Sequence, residues 1–262
     1  MSLEATILLV TCFYFFWIAV VGMVVGSFLD CAVSRWAVGE EIFLGRSHCT
    51  SCGHALGVRD LVPLFSFLLH RGRCRFCGEK IPVDCLVAEV AGAACFLCML
   101  LRFGLTVELS QWLIFAGLLL ALSLADWHMR IIPDGMLLAL AVNRLFWLWL
   151  LGVRVEQAGP EILAAWGVPA VLLALVLAGE RLAGRELMGG GDIKLLFILA
   201  LYMTWAELLL CLLAGCFLGL GYAVLAGKKR KTAVAFGPFL GAGAVLTVCF
   251  GQPLIQWYFS LF

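Results

Sequence analysis

The sequence predicts an all-α integral membrane protein of about eight transmembrane helices, with one small cytoplasmic loop module after the first helix. Three observations predict it. Of the 262 residues, 64% are hydrophobic and 13% charged, and the mean hydropathy is +1.06. Soluble domains run at about 45–50% apolar and about 25% charged, so this chain lacks the polar groups to face water. Apolar runs close to the roughly 20 residues that cross a bilayer recur along its length. Only Trp36 to Pro82 breaks that pattern, with charges, Gly, His and paired Cys. The apolar content also excludes disorder, and a formal net charge of +1 excludes a broadly basic nucleic-acid binder.

The first run, Ile7 to Val25, continues through Gly26-Ser27-Phe28-Leu29 toward Arg35. It has neither a basic start nor an A-x-A site, so it reads as a span rather than a signal peptide. Seven further runs fall near 84–103, 111–127, 135–153, 161–179, 192–204, 206–227 and 236–259, the sixth span overall being short. The expected division is residues 1–35 as first helix, 36–83 as cytoplasmic loop and 84–262 as a seven-helix core. No solenoid-length repeat is visible. With the N-terminus outside, 15 of the 18 Lys and Arg fall on the cytoplasmic side, including Arg46, Arg59, Arg71, Arg73, Arg75, Arg185 and Lys228 to Lys231. The loop arginines set topology and also meet acidic lipid. Gly215-x-x-x-Gly219 and Gly237-x-x-x-Gly241 read as helix packing.

Cys49-x-x-Cys52 and Cys74-x-x-Cys77 each present two thiolates from a tight turn, with Gly53 and Gly78 just after. In a reducing cytoplasm this pattern favours a structural four-sulfur zinc site over disulfides, with an iron–sulfur centre as the minor alternative. His48 and His54 read as surface loop, and the other eight cysteines as small apolar packing groups.

Ionisable residues at membrane depth are functional candidates. Asp126 ends the third span and Asp192 opens the sixth. Two intervening crossings put both on one membrane side, where they can share a proton as a dyad. Helix capping at the membrane edge is the competing reading, Asp192 being a candidate N-cap. Gly189, Gly190 and Gly191 clear side chains beside Asp192 so that a peptide backbone can approach. No Walker Lys-Ser/Thr follows, which argues against phosphate binding. Asp134 is expected to cap the fourth span, Lys194 to pair with Asp192 or face headgroups, and His128 to sit at the interface. Asn143 and Arg144 are expected to find polar partners. Glu89, in the second span, is either a satisfied interfacial acid or part of a polar pocket.

With these residues in hand, the chain resembles the type IV prepilin peptidases, members of the GxGD membrane aspartyl proteases. The resemblance rests on five segments in order: Gly26 to Leu29; the two Cys pairs around Asp60-Leu61-Val62-Pro63-Leu64-Phe65-Ser66; Asp126 to Asp134; Gly189 to Leu195; and Phe236-Gly237-Pro238-Phe239-Leu240. Asp30 stands where that family usually has Asn. The resemblance implies Asp126 and Asp192 as catalytic acids, with Gly189, Gly190, Gly191 and Lys194 in support. It implies cleavage of a basic leader from prepilins or pseudopilins after Gly, in the bacterial inner membrane. It further implies methylation of the new N-terminus from S-adenosylmethionine, by a part built from the first helix and the loop and placed loosely around Gly26 and Glu89. A peptidase without methylation is the nearest alternative. An ion-coupled transporter would place its acids near mid-bilayer and often show a repeat; a non-catalytic zinc or redox scaffold would leave Gly189 to Asp192 unexplained.

Overall fold

The computed structural model describes residues 3–42, 47–49, 51–57, 60–184, 186–227 and 235–261. Arg46, Arg59, Arg185 and Lys228 to Lys231, all used in the charge count above, lie outside the described residues. The regular elements among the described residues are helices: α1 Leu3–Ala37, α2 Phe65–Leu69, α3 Val83–Phe103, α4 Val107–Met129, α5 Asp134–Leu150, α6 Val155–Ala183, α7 Gly190–Leu199, α8 Trp205–Leu225 and α9 Gly237–Phe259. Apart from the five-residue α2, these match the eight expected runs. Among them, α1, α3, α4, α6, α8 and α9 are long and apolar enough to cross a membrane. The 17-residue α5 and the ten-residue α7 fall short of that length, so eight spans is an approximate count.

Two compact units divide the chain, Met1–Leu124 and Ala125–Phe262. In the first, α1 packs along α3. The approach is close because the contact is glycine on glycine: a Cβ at Gly22 or Gly92 would strike the other's carbonyl, and one at Gly26 would strike the Ala88 carbonyl. α2, absent from the sequence expectation, sits inside the loop between them.

In the second unit α8 packs on α9, and α6 and α5 pack on α7. Gly215 lies against the Leu240 backbone and Gly219 against the Phe239 ring, so this small-residue pair serves packing as expected. α8 opens with a capping box: the Glu207 N–H donates to Thr204 Oγ1, and the Thr204 N–H to Glu207 Oε2 at 2.9 Å. Asn143 donates to the Tyr202 hydroxyl (3.0 Å), which donates to the Leu140 carbonyl (2.6 Å), while Arg144 Nε donates to the Leu201 carbonyl (2.9 Å). The expected polar partners of Asn143 and Arg144 are therefore the residues just past the end of α7. Asp134 differs from expectation. Pro133 holds the N-cap position, and Asp134 is the first helical residue, its side chain bonded elsewhere.

Candidate functional site: an acid pair and a four-thiol cluster

Asp126 lies in the last turn of α4, and 7% of it is exposed. Its Oδ2 accepts the backbone N–H of Gly237 at 2.8 Å. That donor is available because Gly237 opens α9, where the first N–H groups have no partner within the helix. The position is glycine for want of space: a Cβ there would stand 2.7 Å from Asp126 Oδ2 and 3.1 Å from its Cβ and Cγ. The sequence pattern pointed to packing at Gly237; the structure makes it a hydrogen-bond donor to an acid 111 residues away. The rings of Trp127 and Tyr222, and of Tyr222 and Phe239, meet at 5.6 and 5.4 Å and run beside this contact.

Asp192 lies in the first turn of α7, close enough to Asp126 for the two carboxylates to act on one another electrostatically. It is not the N-cap, which is Gly189. Its Oδ1 is buried without a hydrogen-bond partner, an arrangement that is costly unless another group uses that oxygen. The three glycines before it do different things. A side chain on Gly189 would crowd Asp192 Oδ2 at 3.2 Å, Gly190 faces open space, and Gly191 lies tight against Ile132, its Cβ position 3.0 Å from that of Ile132. None has a positive φ, so room rather than backbone freedom calls for glycine here. Lys194 does not pair with Asp192. Its Nζ lies 2.8 Å from Asp134 Oδ1, an exposed link from α7 to α5.

The loop folds into two matching knuckles. Gly53 and Gly78 take φ of 69° and 74° and donate to the Cys49 and Cys74 carbonyls at 2.8 and 2.9 Å. The Cys49 N–H returns to the His54 carbonyl, and the Cys74 N–H to the Glu79 carbonyl. Single bridges, His48 to Ala55 and Arg73 to Lys80, close each knuckle. The four Sγ atoms lie within 4.8 Å of one another, with Cys49 and Cys77 at 3.8 Å. A tetrahedral ion with bonds of about 2.3 Å to sulfur sets its ligands about 3.8 Å apart, so the cluster has the spacing to hold a metal. Backbone N–H groups of Cys52 and Ser51 pull the Cys49 thiol down to about 6, toward the thiolate a metal takes. Neither His joins the cluster; His54 stacks on Phe76 at 3.5 Å.

Glu89 is buried, and each oxygen has a donor: Ser27 Oγ at 2.9 Å and the Leu64 N–H at 2.6 Å. It is the satisfied acid of the two sequence readings. Gly26, the residue before Ser27, is covered by the α3 backbone.

Residues 20–103 match the bacterial peptidase A24 N-terminal domain, and residues 113–224 match the type IV leader peptidase family. A Bacillus subtilis (strain 168) protein named prepilin leader peptidase/N-methyltransferase is 31% identical over 92% of this chain and 96% of its own length. Proteins of the same name from Pseudomonas putida (33% identical, 92% of each chain) and Aeromonas hydrophila (28%, 95% of each) are also similar. No solved structure matches the chain. The chain belongs to the type IV leader peptidase family.

Proposed function

We propose that Asp126 and Asp192 are the catalytic pair of a membrane aspartyl endopeptidase that removes the basic leader of type IV prepilins or pseudopilins. The observation that carries this is two carboxylates, from α4 and α7, near enough to act on one another electrostatically, one held by the Gly237 N–H and the other with a buried oxygen unused. A pair sharing one proton supplies a base toward water and an acid toward the scissile carbonyl and leaving amine. Open space at Gly190 lets an extended backbone reach Asp192. The basic leader stays on the cytoplasmic side of the inner membrane while the apolar segment enters the bilayer, which brings the scissile bond to the level of the acids.

The enzyme carries a second activity, methylation of the new N-terminus from S-adenosylmethionine. That activity belongs to the first helix and the 36–83 loop, and the peptidase activity to the 84–262 core. Glu89 serves it by holding the loop at Leu64 against α1 and α3, and Gly26 by letting those two helices approach. Zinc occupies the four-thiol cluster as a closed structural site, an assignment supported by the sulfur spacing. The test is co-expression with a prepilin. Asp126→Asn and Asp192→Asn are each expected to give inserted protein without a leader-sized mobility shift; substantial processing by either variant removes that residue from catalysis.

A further inference from the structure

The segment between the knuckles carries five large apolar side chains in nine residues, Leu61, Val62, Phe65, Leu68 and Leu69, and all are exposed, the last three at 63% each. No residue of α2 is buried. Patches of this kind mark a surface that something else covers. Where the segment sits says what. The Leu64 N–H is bonded to Glu89, six residues into α3, or about 9 Å along the helix from Val83. The same carboxylate takes Ser27, ten residues and about 15 Å before the end of α1. Since α3 has 21 residues, just enough for a hydrocarbon core of about 30 Å, Leu64 lies beside the spanning pair and inside its end, not beyond it. Directly after the apolar stretch come Arg71, Arg73, Arg75 and Lys80, all exposed, with Glu79 the single acid among residues 71–80. Arg73 donates to the Gly78 carbonyl and Arg75 lies over the Phe76 ring, so both heads are held on the outside of the second knuckle.

We infer that residues 61–69 form an interfacial membrane foot: the apolar side chains enter the acyl boundary, and the adjacent arginines bind anionic phospholipid headgroups. This is the pattern of an in-plane membrane element, an apolar face at a depth of about 5–10 Å rimmed by cations. Glu89 anchors the foot at its level, and the four-thiol module is thereby pressed to the membrane surface instead of swinging free.

The test places a benzophenone photo-crosslinking residue at Leu68 of the full-length chain. Nanodiscs contain phosphatidylcholine, alone or mixed with phosphatidylglycerol. A probe at Phe16 on α1 is the lipid-exposed control, and one at Ser51 on the first knuckle the aqueous control. Phospholipid adducts are expected at 68 and 16 but not at 51, read by mass spectrometry. Those at 68 are expected to rise severalfold with phosphatidylglycerol and to fall back when Arg71, Arg73 and Arg75 become Gln. Where that variant loses its metal, the salt dependence of the adduct in the otherwise unsubstituted chain gives the same reading. A probe at 68 that behaves like the one at 51, or that couples to a second copy or an added prepilin in place of lipid, overturns the inference. So does an adduct at 68 indifferent to lipid charge and salt.

Discussion

Replacing Gly237 by Ala asks how tightly the Asp126 carboxylate must be held. The added methyl would stand 2.7 Å from Asp126 Oδ2, and ordinary contact begins at 3.4 Å, so the carboxylate has to withdraw by about 0.7 Å or rotate away. Because Gly237 is already the first residue of α9, Ala costs the helix nothing and favours it by up to about 1 kcal/mol. The loss therefore falls on the site. A hydrogen bond to a charged group contributes about 1.5–3 kcal/mol, which corresponds to roughly 10- to 100-fold in rate. A misplacement near 1 Å leads to the same size of effect, about 100-fold. The assay is leader removal from a prepilin by purified enzyme in proteoliposomes, with metal content as a check on folding. Cleavage is expected to fall by about 10- to 100-fold with metal and yield unchanged. Cleavage within twofold of the parent would show that the Gly237 contact does not position Asp126.

Three further outcomes follow from the other contacts. Cys49→Ser with Cys74→Ser should remove about one metal ion per chain, measured by elemental analysis; a parent chain that is metal-free and fully active would refute the site. Glu89→Ala frees the Leu64 N–H, and should cut N-methylation while cleavage persists, both events being read by mass spectrometry of the processed pilin; Glu89→Gln, which keeps an acceptor, should retain more methylation. Arg144→Met strands the Leu201 carbonyl at the end of α7 at a cost of about 1–3 kcal/mol, seen as a lower unfolding temperature in detergent, and an unchanged midpoint would count against the clamp.

What could be read in the sequence was what spacing encodes. Apolar run lengths marked the long helices, and C-x-x-C-Gly marked both knuckles. What stayed hidden depended on contacts between distant residues. The partner of Asp126 is a main-chain group, which no residue type announces, and it lies behind a glycine spacing that also fits packing. Lys194 follows Asp192 by two positions, yet on a helix that separation points side chains apart, and it reaches Asp134 on α5. Asp134 follows a proline that already takes the capping position. The three glycines before Asp192 look alike in sequence, and only their different neighbours, the Asp192 carboxylate, open space and Ile132, separate them. The α2 turn is too short for periodicity to register.

The ten residues of α7 cover about 15 Å, half the hydrocarbon thickness of a bilayer, and α5 holds it at two points, Asp134 on Lys194 in its middle and Arg144 on the Leu201 carbonyl just past its end. A helix tethered at one point can pivot when its surroundings change; one tethered at two points to the same neighbour is restrained to move with that neighbour. Changes in bilayer thickness, which spanning helices ordinarily absorb by tilting, are then taken up by the pair as one body. Asp192, two residues before Lys194 on the same helix, thereby keeps its register against α5.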